Sequence, residues 1–401
     1  MNTPQLGIKA NWQQFSLLVL VNAFVGGMVG MERSILPQLA KSEFHIAAKT
    51  ALLSFIVVFG ITKALTNYYM GALANKYGRK NLLVLGWLFG LPVPMLLIFA
   101  PSWSWVLIAN IFLGINQGLA WSSTVVMKID LAGPKSRGFA MGINEAAGYL
   151  AVGAVAYWSA STADAYAIRP YSFYIGIVLS LLGLLMSLFL IKDTRRHVEV
   201  EAEKNAAPLL LHIFKDTSFR NPNLGSISLG GLVNNLNDGM VWGLFPILLI
   251  SKGIRGEALA QIIAIYPLVW GLGQLFTGKL ADHFAKKPLL FFGMFIQGMS
   301  ILGFIWAHTF YQFATLSVLL GLGTAVVYPT FLAAIAENTH PSQRAQSIGV
   351  YRLWRDLGYA LGAVLTGILA DLWTLDTAIA AIGLITLLSA AVILWRMRPV
   401  S

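Results

Sequence analysis

The chain has 401 residues, of which 57% are hydrophobic and 11% charged, and its net charge is +11. Soluble proteins carry about a quarter charged residues, so a soluble fold around one large core is excluded. The basic residues lie scattered between apolar blocks, which excludes nucleic acid as their partner, and the lack of cysteine removes disulfides and Cys-based metal sites.

Apolar blocks of about twenty residues, each enough to cross a hydrocarbon core, recur along the whole chain. They predict an all-α polytopic membrane protein with twelve spans: 14–39, 48–73, 81–100, 103–128, 137–160, 168–191, 222–250, 257–279, 288–307, 310–335, 344–370 and 374–396. The first holds Asn22, Glu32 and Arg33 and no A-x-A-like cleavage site, so it reads as a retained helix and not a signal peptide. After six spans comes KDTRRHVEVEAEKNAAPLLLHIFKDTSFRN, residues 192–221, charged and interrupted by Pro208. It reads as a cytoplasmic linker between an N-terminal six-helix bundle (1–191) and a C-terminal one (222–401). Its PLLLHIFKD piece is a candidate for a short amphipathic helix on the membrane surface. An even number of spans puts both termini on one side. Nineteen basic residues fall in the loops of that side and five in those of the other, so the positive-inside rule makes the shared side cytoplasmic.

The two halves repeat. GALANKYGRKN from Gly71 returns as GKLADHFAKKP from Gly278, and RGFAMG from Arg137 returns as RAQSIG from Arg344, both at an offset of 207 residues. GMERSILP from Gly30 returns as GMVWGLFP from Gly239 at an offset of 209. Duplication at this scale is a mark of secondary transporters, with the site expected where the repeats meet.

The loop GALANKYGRKNLL resembles the signature loop of the major facilitator superfamily, G-x-L-A-D-[RK]-x-G-R-[RK]. The degenerate second copy and the loops PKSRGFAMG and PSQRAQSIG fit the same family, and the resemblance covers essentially the whole chain. It implies two six-helix pseudo-symmetric bundles, with spans three, six, nine and twelve outermost and the others lining a central cavity. It also implies that Gly71, Asn75, Gly78, Arg79, Lys80, Arg137, Gly278, Asp282, Lys286 and Arg344 belong to gating loops. Two departures stand out. The loop aspartate is Asn75 in the first copy, whereas Asp282 keeps it in the second. In span four, many proton-coupled drug exporters of the family have arginine four residues before a glycine; here Gly114 precedes Gly118, which argues against a standard drug/proton exporter.

A charge in mid-membrane costs roughly 2.5–3.5 kcal/mol on insertion scales, so such residues face partners or water. Here Glu32 and Arg33 lie in span one, Lys63 in two, Glu145 in five, Asp238 in seven, and Arg352, Arg355 and Asp356 in eleven. Spans three, six, nine and twelve have no charge in their interiors. Helical spacing puts Arg352, Arg355, Asp356 and Tyr359 on one face. It does the same for Asn234, Asn237 and Asp238; for Asn110, Gly114, Gln117 and Trp121; for Tyr266, Trp270 and Gln274; and for Glu145 and Tyr149. The candidate substrate residues are Arg355, Arg352, Lys63, Asn116, Gln117, Trp121, Tyr149, Asn234, Trp270 and Tyr359. The candidate proton carriers are Asp238, Asp356, Glu145 and Glu32, since burial raises a carboxyl pKa toward the working range. Each has a plainer reading: a gate pair for Glu32 and Arg33, pairing of Arg352 with Asp356, or of Arg355 with Glu145 or Asp238, and simple packing for the aromatic residues and glycines.

The expected function is alternating-access secondary transport of a small solute across a bacterial inner membrane by a monomer. No P-loop, metal cluster or nucleophile–base arrangement points to an enzyme or a cofactor, so protons are the expected energy source. Four intramembrane cations favour a small anion as substrate, with efflux of amphiphilic compounds as the alternative. A non-transporting receptor or accessory subunit on the same scaffold is the reading from another class.

Overall fold

In a computed structural model, residues 4–33, 35–46, 48–203, 205 and 208–398 are described. All twelve predicted spans lie in helix among them, with ends shifted by a few residues. Proline divides three of them. Span one stops at Arg33 and resumes over Leu36–Glu43 with Pro37 in its first turn. Span three is Arg79–Gly90 followed by Pro92–Ile98, and span seven is Pro222–Gly243 followed by Phe245–Ser251. Proline lacks the N–H of the helix ladder but fits the first turn. Pro267 and Pro329 sit inside continuous helices. Span four is Trp103–Asn116 and Ser122–Ala132, joined by a π-helical turn over Gln117–Trp121. Such turns are frequent at functional sites.

Nine spans among the described residues are long and apolar enough to cross a membrane. The seventh and eleventh have the length, but four asparagines and Asp238 in the one, and Arg352, Arg355 and Asp356 in the other, lower their hydropathy.

The chain divides into two compact units, Met1–Lys135 with Ile143–Ala206, and Ser136–Gly142 with Ala207–Ser401. The first turns of the fifth-span helix, Arg137–Ala165, thus belong with the second unit. Residues 192–221 carry short helices among the described residues. Arg195–Glu203 is helical in the first unit. In the second, the candidate amphipathic helix is reduced to Ile213–Lys215 and a π-turn over Asp216–Arg220. Asn221 then caps span seven by accepting the N–H groups of Asn223 and Leu224, both at 3.0 Å, with Pro222 in the first helical position.

Paired glycines set the tightest crossings. A Cβ on Gly26 or Gly30 of span one would strike the carbonyl of Gly148 or Val152 in span five. A Cβ on Gly358 or Gly362 of span eleven would strike that of Leu232 or Leu236 in span seven. With no hydrophobic force between helices in lipid, close backbone approach at small residues supplies the packing energy.

Candidate functional site

In the first unit, four predicted residues meet around Trp121. Its indole Nε1 donates to Glu145 Oε1 at 3.2 Å, its ring lies 5.4 Å from that of Tyr149, and Lys63 Nζ stands 5.5 Å from its centroid. Trp121 closes the π-turn, and Gly148 leaves the space its ring occupies. The carboxylate of Glu145 also accepts from Asn144 Nδ2 at 2.7 Å, and Asn144 is tied through its carbonyl to Asn22, whose side chain accepts from Thr124. Helical spacing singles out Glu145, and Asn22 stands out as a polar residue in span one, but nothing in the sequence links Asn22 or Asn144 to Glu145; a lone asparagine in an apolar run is the only signal either gives.

Other first-unit candidates lie elsewhere. Gln117 donates to the Val25 carbonyl at 2.7 Å. Asn116 donates to the Gly86 carbonyl of span three at 2.9 Å, so it serves helix packing and not the Trp121 cluster. Glu32 is buried and accepts from Asn110 at 3.4 Å. Gly114 presses on Thr62 and Phe59 of span two, where even a Cβ would come within 3.0 Å of the Phe59 carbonyl oxygen, so the exporters' arginine has no room.

In the second unit, Asp238 accepts a short hydrogen bond from the Tyr266 hydroxyl. Tyr266 stacks on Trp270 at 5.9 Å, Trp270 packs on Tyr328 at 5.1 Å, and Arg355 lies 5.3 Å from the Tyr328 ring. Arg355 donates through Nε (2.9 Å) and Nη2 (2.7 Å) to Asp356 Oδ1. Arg355 and Asp356, chain neighbours, are both buried. Arg352 is fully buried and Tyr359 half-buried on the same helix.

Asn234 and Asn237 turn away from Asp238. Gln297 of span nine forks between them, donating to Asn234 Oδ1 at 3.0 Å and accepting from Asn237 Nδ2 at 2.9 Å; Thr386 of span twelve donates to Asn237 at 2.7 Å. At 100° per residue the adjacent Asn237 and Asp238 stand about 100° apart, with Asn234 between them, an arc wide enough for part of a polar run to face outer helices.

The two signature loops are built differently. In the first, Gly78 takes φ of +85°, a conformation glycine adopts without strain. Arg79 pairs with Asp130 at 3.3 Å, both almost fully buried, and Thr194 donates to the same carboxylate at 2.8 Å. Asp193 accepts the Lys80 N–H at 3.0 Å, and Arg195 donates to the Asn75 carbonyl at 3.1 Å. Gly71 is buried nearby in sequence. In the second loop, the Asp282 oxygens accept the N–H groups of Gly138 and Phe139 at 2.7 and 2.8 Å, the charge placement a helix N-terminus favours. Gly278 packs against Gly138 and Gly142, Arg137 donates to the Ala336 carbonyl at 3.2 Å, and Lys286 pairs with Glu337 at 3.4 Å. Arg344 is buried at the start of span eleven. Lys128, counted among the loop cations, is instead buried in span four and donates to the Leu18 carbonyl at 3.0 Å.

The family model described as Major Facilitator Superfamily matches residues 18–225 and 227–401. Among curated proteins, the chain is similar to the inner membrane transport protein YnfM of Escherichia coli (strain K12), 26% identical over 158 residues that make up 39% of this chain and 38% of that protein. It is similar to the methyl viologen resistance protein SmvA of Salmonella typhimurium, 33% identical over 127 residues, 31% of this chain and 26% of that protein. It is also similar to the quinolone resistance protein NorA of Staphylococcus aureus, 26% identical over 136 residues, 34% and 35% of the two. The matched segments span about a third of the length of these curated relatives. The crystal structure of the human organic anion transporter MFSD10 (TETRAN) shares the fold, with a TM-score of 0.81 at 15% identity over 95% of this chain and 99% of that one.

Proposed function

Since the chain belongs to the Major Facilitator Superfamily, we propose that it is a secondary transporter that carries a small organic anion together with a proton by alternating access. The observation that carries the reading is the buried Arg355–Asp356 pair beside the Tyr328 ring. While Asp356 is ionised, it occupies the Nε and Nη2 edge of the guanidinium. Protonation cancels the carboxylate's charge and turns this planar fork toward a carboxylate or phosphate, which it fits in bidentate fashion. A proton on Asp356 and an anion on Arg355 then favour each other, which is the thermodynamic content of coupling. Asp238, held by Tyr266, is the second proton carrier. In the other unit, Lys63 and Glu145 supply a further cation and carboxylate around Trp121. Both termini face the cytoplasm, on the side that keeps the large majority of the basic residues even with Lys128 set aside, and the protein works in a bacterial inner membrane.

The test is thermal stabilisation of the purified protein by a panel of small anions, cations, sugars and amphiphiles at two pH values. A ligand that binds only the folded state raises the melting temperature by mass action. Stabilisation by an anion is expected to grow at the lower pH, to vanish in Arg355→Ala, and to lose its pH dependence in Asp356→Asn. Equal stabilisation of wild type and Arg355→Ala by neutral or cationic compounds would reject the anion reading. It would favour efflux of amphiphilic compounds, for which the Tyr266–Trp270–Tyr328 rings and the resistance names of SmvA and NorA speak.

A further inference from the structure

In the first unit, a crevice of about 470 Å³ opens where the start of span one and the end of span four meet residues 192–197. One wall is the segment before span one: the Gly7 N–H donates to the Leu131 carbonyl at 2.8 Å, Asn11 donates to the Gln5 carbonyl at 2.7 Å, and His197 Nε2 lies 3.2 Å from Asn11 Oδ1. Trp12, Gln13, Lys192 and Arg196 also line it. A second crevice of about 380 Å³ shares Asp193 and Arg196 with the first and adds Lys80 and Arg195.

Four cationic residues thus line the two crevices beside one carboxylate, Asp193, whose two oxygens already accept the backbone N–H groups of Lys80 (3.0 Å) and Arg195 (2.8 Å). Lys192 and Arg196 are exposed. The chain runs into this basic cluster from an apolar strip. Leu185, Leu188 and Phe189 at the end of span six are 48%, 40% and 77% exposed. The strip is fastened to the cluster, since Lys80 Nζ donates to the Leu188 carbonyl at 2.8 Å and Gln14 donates to the Leu190 carbonyl at 2.9 Å. Trp12, 61% exposed at the rim, has the amphipathic ring that settles at headgroup depth.

We propose that this pair of crevices is a binding site for the headgroup of an anionic phospholipid, with the acyl chains laid along Leu185, Leu188 and Phe189. A basic cluster directly beyond a span reads as an anionic-lipid site, and the contiguous apolar strip distinguishes a lipid from a soluble anion. Bound there, the lipid would bridge the segment before span one, the signature loop at Lys80 and the start of the interdomain segment.

The test is native mass spectrometry and thermal unfolding of delipidated protein titrated at pH 7.5 with phosphatidylglycerol, phosphatidylcholine, inorganic phosphate or glycerol 3-phosphate. Phosphatidylglycerol is expected to bind most tightly and to raise the melting temperature. Lys192→Ser/Arg196→Ser should weaken it about thirty-fold, from two charges lost at the surface. The same double variant should melt with wild type in phosphatidylcholine, which separates a lost site from a lost fold. A Lys287→Ser/Arg398→Ser control should keep the phosphatidylglycerol effect. Equal binding of both lipids, or of phosphatidylglycerol by both double variants, overturns the proposal in favour of an unspecific lipid belt. Stabilisation by phosphate or glycerol phosphate matching that of phosphatidylglycerol overturns it in favour of a soluble anion. If Lys192→Ser/Arg196→Ser already melts lower in phosphatidylcholine, Leu188→Ser/Phe189→Ser decides: unchanged phosphatidylglycerol binding there also overturns it.

Discussion

Gln297→Leu is the sharpest probe of how the second unit holds its polar helix. The side chain is fully buried, and its amide bridges Asn234 and Asn237 with bonds of 3.0 and 2.9 Å. Leucine has nearly the same volume, so the cavity contribution is small. Hydrogen bonds between membrane helices average about 0.6 kcal/mol, which puts the two lost bonds at about 1 kcal/mol. The larger effect comes from the orphaned Asn234 Oδ1 and Asn237 Nδ2, since a buried polar group left without a partner costs about 1–3 kcal/mol. The expected loss is about 3–7 kcal/mol, read by reversible unfolding in mixed micelles against a denaturing detergent. Replacing all three polar residues by leucine should recover much of it, because Thr386 keeps its bond to the Ile382 carbonyl at 2.8 Å and orphans nothing. A single variant within about 0.5 kcal/mol of wild type would refute the reasoning. So would a triple variant as unstable as the single one, which would point to packing and not to polar satisfaction.

Three further outcomes are expected. Arg79→Ala leaves Asp130 charged and buried and should cost about 3–5 kcal/mol in the same unfolding assay, with Arg79→Ala/Asp130→Ala milder than Arg79→Ala alone. Burial pushes the His197 imidazole below its ordinary 6.5. The folded chain therefore refuses a proton that the unfolded chain accepts, so this stability is full above pH 6.5 and is lost as the pH falls through the folded value. Melting temperature should drop with acidification over that window, and His197→Gln should flatten the drop. Gly358→Val sets a branched side chain against the Leu232 carbonyl and should cost about 1–3 kcal/mol, whereas the same change at Gly153, which has open space around it, should be mild by the same measurement.

Much of this architecture was legible because a bilayer imposes length and polarity on every span. The breaks at Pro37, Pro92 and Pro246 follow from missing donors, and Gly358 and Gly362 sit at close helix contacts, in line with the packing expected of the glycines. The ionisable residues announced themselves by their cost. Their partners did not. The bond of Arg355 to the adjacent Asp356 depends on a rotamer and not on helical spacing, which points only to residues three and four apart. Gln297 and Thr386 were invisible as partners because a neutral polar residue in an outer span reads equally as lipid-facing or inward. Asp130 and Thr194 were hidden for a different reason: one lies at the end of a span and the other in a charged loop, where polar residues attract no notice.

Span five and span eleven share one more pattern. Glu145 stands three residues before Gly148, and Arg355 three residues before Gly358. In each helix the glycine is pressed by groups outside its own helix: Trp121 and Asn22 for Gly148, the Leu232 carbonyl for Gly358. Three residues are a rotation of about 300°, so the charged side chain emerges about 60° around the helix from that contact and one turn along it. A backbone contact without a Cβ is short and has little freedom to roll, and it therefore fixes the direction in which its neighbour points. The charge does not supply the packing energy of these helices; the glycines do. The bonds of Glu145 to Trp121 and of Arg355 to Asp356 can therefore be changed without loss of the contacts that hold the spans together.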